Sequence, residues 1–214
     1  MDFATALENL YAAFKSPVPR RIDGCPCCVD GKRVDRMHDV PLRDLTADDL
    51  NRYSFSVFTT VGSESDFRYF LPRILEITAN DSGYINVEVI LGKLWLAGWR
   101  SWPEADRRPV IDFIDAWFDI TCHQPIEDEW DMPYELDSLI CGIARTGLDV
   151  AHYLQRLLGC PDQLRAFHAL NGRRLADENR LTNGFWADHE AQAATLIKFL
   201  NSAEVQAVLL AKPQ

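Results

Sequence analysis

Apolar residues recur along most of this chain at intervals of three and four, the spacing that lines one face of an α-helix. Phe3, Leu7, Leu10, Tyr11 and Phe14 form the first stripe, which Pro17 and Pro19 end. Thr46 with Asp49 supplies a helix start signal. Leu50, Tyr53, Val57 and Val61 carry the next face, with Gly62 as the expected stop. Ser63 or Ser65 caps a wider stripe of Phe67, Phe70, Leu71, Ile74 and Leu75. Pro72 falls inside that stripe and predicts either a kink or the true first turn. Val87, Ile90, Leu91, Leu94 and Trp95 predict a helix over 86–97 that Gly98 stops, although the β-branched residues there keep a strand open. Ser101 and Glu104 have capping-box spacing, with Pro103 between them. The helix beyond turns Val110, Phe113, Ile114, Trp117 and Ile120 inward and sets Asp112, Asp115 and Asp119 on another face. Further helices are predicted over 133–145, 147–158, 161–172, 185–200 and 202–211.

No alternating run demands a sheet. The expected fold is therefore all-α: an irregular multi-helix bundle of antiparallel helix pairs, with a degenerate α-solenoid as the alternative. Residues 1–214 read as a single helical domain, long enough to bury a core without disulfides or metal. Within it, 16–43 is an irregular, cysteine-containing loop with no sustained period. A loop of that length is uncommon unless it is functional or tied down.

The N-terminal stretch carries acids and lacks the basic start and apolar run of a signal peptide. No window approaches 18 uninterrupted apolar residues, so no membrane span is expected. With six cysteines and no secretory segment, the expected setting is cytoplasmic. The net charge of −10 argues against broad binding to nucleic acid or anionic lipid. That charge is uneven: residues 104–137 hold eleven acids against only Arg107 and Arg108.

Two segments carry candidate chemistry. In Cys25-Pro26-Cys27-Cys28, Cys25 and Cys28 have the C-x-x-C spacing that lets two thiolates reach one tetrahedral ion. Cys27 and His38 are the candidate further ligands, and zinc is the candidate metal. Redox chemistry and purely structural thiols are the other readings of this cluster. Cys141 and Cys160 read as helix-core or helix-end residues without a functional role. The second segment, from Glu127 to Glu135, joins Asp128, Glu129 and Asp131 to Trp130 and Tyr134. Aromatic anchors inside an acidic rim suit a protein interface. The predicted partner is a basic protein, met through Asp112, Asp115, Asp119, Asp128, Glu129, Trp130, Asp131, Tyr134 and Glu135. A solvated acidic loop is the plain alternative.

No phosphate-binding loop, dinucleotide fingerprint, H-E-x-x-H or G-x-S-x-G motif occurs. The five histidines are scattered. His189, between Asp188 and Glu190, is expected to have a raised pKa. An enzyme whose site is assembled from scattered residues stays as a third reading.

The segment Asp66-Phe67-Arg68-Tyr69-Phe70-Leu71-Pro72-Arg73-Ile74-Leu75-Glu76, the Cys25–Cys28 cluster and Leu91–Trp99 together resemble a family of uncharacterised bacterial proteins over most of the chain. The resemblance implies a bacterial, cytoplasmic, α-helical protein and carries no activity with it. By analogy with small acidic proteins of this kind, a toxin-neutralising immunity protein is the expected form of the interaction module.

Overall fold

A computed structural model describes residues 1–22, 24, 36–80, 85–126 and 133–211. The protein is all-α: the described residues form helices and turns, with isolated bridges pairing Gly24 and Val57 with Val61 but no strand. Sequence reading takes 1–214 as one domain. The helices gather into two compact units, Met1–Trp117 and Phe118–Gln214. The division falls inside a continuous helix, so no Gly, Pro or Ser-rich linker marks it in the sequence.

The first unit holds α1 (Phe3–Ala13), α2 (Ala47–Ser56), α3 (Glu64–Asn80) and α4 (Val87–Leu96), and most of α5 (Glu104–Cys122). Asp2 caps α1 by accepting from the Thr5 amide at 2.8 Å. Thr46 and Asp49 form a full capping box at α2. The second helix ends at Ser56, six residues before the predicted Gly62 stop, and Val57 leaves the helical backbone at φ −57° and ψ 137°. The third helix runs through Pro72, whose ring is buried in the core rather than placed in a first turn. Val87–Leu96 is helical, which closes the strand alternative, and Gly98 follows it in the left-handed region at φ 62°. Ser101 does not cap α5; its hydroxyl donates to the Gly98 carbonyl at 2.8 Å inside a short 3₁₀ segment, Trp99–Ser101. The core gathers Leu10, Leu50, Phe67, Phe70, Ile74, Leu91 and Phe113, all fully buried. Tyr53 and Phe70 meet edge-on at 5.1 Å, and Phe3 packs on Phe113 at 5.2 Å.

The second unit holds the last residues of α5 with α6 (Tyr134–Thr146), α7 (Val150–Leu157), α8 (Pro161–Glu178), α9 (Glu190–Leu200) and α10 (Ala203–Leu210). Its helices follow the predicted spans closely, except that α8 runs on to Glu178 and α9 is preceded by a 3₁₀ segment, Gly184–Asp188. The eighth helix ends at Asn179, held left-handed at φ 51°, with the Arg180 amide donating back to the Arg174 carbonyl at 3.2 Å. Buried Asn171 then accepts from the Thr182 amide at 2.9 Å and fixes the return of the chain. Leu139, Ile140, Leu157, Leu164, Phe167, Leu196, Leu200 and Val205 supply the core. Among the described residues no single helix is long and apolar enough to cross a membrane.

Candidate functional site

The acids proposed for partner binding do not share one electrostatic state. Asp112, in the first unit, lies a helical turn from Arg108 and accepts from its Nε at 2.9 Å. Asp115 beside it is half-buried. Asp119, in the second unit, accepts from Arg156 at 2.5 Å, and that guanidinium also lies 4.9 Å from the centre of the Phe118 ring. Asp112 and Asp119 thus spend part of their charge on a local cation and offer less to a partner. Asp128, Glu129, Trp130 and Asp131 lie outside the described residues. Tyr134 and Glu135 open α6. Tyr134 is 63% exposed, more than Trp95 or Phe55, and Glu135 is exposed beside it. Glu135 and Asp137 also sit where the helix N-terminus favours negative charge.

Cys25, Cys27 and Cys28 likewise lie outside the described residues. His38 is half-buried on a helical turn at 36–39. Among the described residues, no group of three or more His, Cys, Asp or Glu is arranged to hold a metal ion. The chain on both sides of 25–35 is nevertheless held. Gly24 pairs antiparallel with Val61, and Arg36 grips Asp49 through Nε at 2.6 Å and Nη2 at 3.0 Å. The turn that receives Gly24 is itself unusual. Phe58 has a φ of 66°, costly for a bulky residue, and its ring packs edge-on against Phe67 at 5.1 Å. Gly62 follows at φ 71°, where a Cβ would meet the Tyr53 ring at 3.0 Å. Below the turn, buried Lys93 donates to the carbonyls of Phe55 at 2.8 Å and Val57 at 2.7 Å.

A second polar cluster ties residues 42–45 to the helices of the first unit. Arg43 binds Glu8 with two bonds of 2.8 and 2.7 Å and covers the Tyr11 ring at 3.8 Å. The Tyr11 hydroxyl donates to Glu76 at 2.5 Å, and Arg73 bonds both Glu76 and the Leu45 carbonyl, each at 2.7 Å. Burial and the Glu76 carboxylate push the Tyr11 phenol far above its usual pKa. It therefore stays a donor at neutral pH. Glu8, Tyr11 and Arg43 border a cleft of about 440 Å³ with Phe14, Lys15 and Tyr69, and Glu8 there is already paired with Arg43.

Sequence reasoning missed a cleft of about 390 Å³ in the second unit, lined by Arg174, Arg180, Leu181, Trp186, Glu190 and Ile197. The Asn179 turn brings Arg180 back toward Arg174, and an Asn closing a helix was the one available signal for it. The Trp186 indole N–H is buried without an acceptor among the described residues. This site offers guanidinium groups over an apolar floor, a surface that suits an anionic group on an apolar body. His189 nearby departs from expectation. Burial and the Arg145 cation push its pKa below the usual value, outweighing Asp188, which acts the other way.

Compared with known proteins, the chain matches no protein-family model, no curated protein and no solved structure.

Proposed function

We propose that this chain is a cytoplasmic protein-binding module that takes a basic protein partner on the acidic-aromatic surface at 127–135, in the manner of a toxin-neutralising immunity protein of the bacterial family it resembles. The observation that carries this reading is Tyr134, an aromatic ring 63% exposed at the start of α6 and directly after the densest run of acids in the chain. The pairing of Asp112 with Arg108 and of Asp119 with Arg156 narrows the proposed surface to Asp128, Glu129, Trp130, Asp131, Tyr134 and Glu135. The test is co-purification of the tagged chain with the product of the neighbouring gene, followed by titration across a range of salt. Reversing Asp128, Glu129 and Asp131 to lysine is expected to weaken binding by at least roughly tenfold and to flatten its salt dependence. Tyr134→Ala is expected to weaken binding without changing the salt slope. Binding that survives both sets of substitutions removes this surface from the reading.

A second reading, zinc held by Cys25, Cys28, Cys27 and His38, is supported by the fixed flanks of the segment. Gly24 on Val61 and Arg36 on Asp49 already bring its ends to defined places, which lowers the entropy lost when ligands close on an ion. Protein purified without chelator is expected to carry about one zinc per chain and to melt lower after chelation. Substoichiometric metal with unchanged melting refutes it.

A further inference from the structure

The end of α5 and a residue just beyond it are tied to the corner between α7 and α8. Asp119 accepts from Arg156 at 2.5 Å, and the Gln124 carbonyl accepts from Gln163 Nε2 at 2.8 Å. Between these two bonds, on the two segments, lie Cys122 and Cys160. These flanking bonds make the two cysteines neighbours, and the same Asp119 and Arg156 act on both thiols. Neither is in a disulfide. Their accessibility differs, since Cys122 is buried and Cys160, at the cap of α8, is half-exposed.

We propose that Cys122 and Cys160 are a redox-active dithiol, a modification site at which small disulfides of the glutathione class convert the pair to an intramolecular disulfide. The half-exposed Cys160 reacts first. Its thiolate attacks one sulfur of the small disulfide, forming a mixed disulfide and releasing one small thiolate. The neighbouring Cys122 then loses its proton and attacks that sulfur, releasing the second small thiolate. Two cysteine thiols are oxidised by two electrons, one small disulfide is reduced to two thiols, and the two cysteine protons end on the two leaving thiolates. Cys122 is too buried to meet an outside disulfide, which assigns it the resolving role. Burial, helped by Asp119, pushes the Cys160 thiol above its usual pKa and outweighs Cys122 and Arg156, which act the other way. Oxidation therefore accelerates as the pH rises from neutral. The product closes a covalent loop around 123–159, which contains α6 and α7.

The test uses the full chain with oxidised glutathione at neutral and mildly alkaline pH, followed by non-reducing peptide mapping. The expected product links Cys122 to Cys160, forms faster at the higher pH and raises Tm by on the order of 10 °C in a manner reversed by dithiothreitol. The link is expected to survive Cys141→Ser, a substitution at the other described cysteine. Cys122→Ser is expected to stop the reaction at a stable glutathione adduct on Cys160, and Cys160→Ser to abolish both adduct and link. Both variants replace sulfur by oxygen at unchanged shape, and circular dichroism checks that they fold. A stable Cys160 adduct in the unsubstituted chain, with no Cys122 link, overturns the proposal. So does a Cys160 that stays reduced while exposed control thiols react.

Discussion

Lys93→Met is expected to lower the stability of the chain by about 3 kcal/mol, read as a shift in the urea unfolding midpoint. Methionine matches the length and most of the volume of the lysine stem, so little packing is lost. What disappears is the ammonium that donates to the Phe55 and Val57 carbonyls at 2.8 and 2.7 Å. Those carbonyls lie at the end of the helical ladder of α2, and among the described residues no loop amide donates to them. Lys93 is only 5% exposed, and burial pulls its pKa below the ordinary 10.5. The sign of the pH effect follows. As the pH rises toward 10.5, the folded chain sheds this proton before the unfolded chain does. The stability of the wild type therefore rises relative to Lys93→Met over that window and levels above it. A difference that is constant up to pH 10.5 means that the ammonium is not held in the buried state described here. Because the two carbonyls begin the turn on which Gly24 rests, the same substitution is expected to expose the chain before Cys25 to limited proteolysis.

Asp49→Ala is expected to cost about 2 kcal/mol, as much as the loss of a strong N-cap, because this N3 residue closes the capping box from the other side. One carboxylate here serves two tasks. Its Oδ2 accepts from the Thr46 amide at 3.0 Å and the Thr46 hydroxyl at 2.8 Å, which closes the capping box. It also receives both arms of Arg36. Arg36 is half-exposed, so the ion pair is screened and adds little to the total. Its larger role is to fix where the chain re-enters after residue 35. The Arg36 guanidinium, with the Thr46 donors, holds the Asp49 carboxyl well below the usual carboxylate range. Its contribution is complete above the ordinary value of 3.8 and is lost as the pH falls below it. The stability gap between wild type and Asp49→Asn is therefore expected to be flat near neutrality and to narrow in acid. A gap unchanged down to strongly acidic pH excludes the charged role.

Several local patterns were legible in the sequence, although Ser101, at capping-box spacing from Glu104, bonds the Gly98 carbonyl instead of capping a helix. Helical periodicity, the Thr46–Asp49 box and the Gly98 stop are set by residues within one or two turns of each other, and each stands where the spacing predicts. Thr46 and Asp49 need only three residues of chain to find one another. The candidate site was legible in part for the same reason: the acidic run and Tyr134 are contiguous, and the exposure of that ring bears on them directly. Features that depend on distant partners were invisible. The end of α2 at Ser56 is set with a lysine 36 to 38 residues away, which takes carbonyls that a local reading assigns to the next helical turn. The charge that Asp119 has left to offer depends on Arg156, 37 residues on. The division into two units falls inside α5, where an unbroken apolar stripe gives no punctuation. Cys160 looks like an ordinary helix-end cysteine until the fold lays it against Cys122. The chain by itself determined which residues become helices, because backbone hydrogen bonds and side-chain periodicity act over a few residues. Tertiary structure alone decided where α2 stops, which basic side chain Asp119 meets and which cysteines become neighbours, because those arrangements exist only once the helices pack.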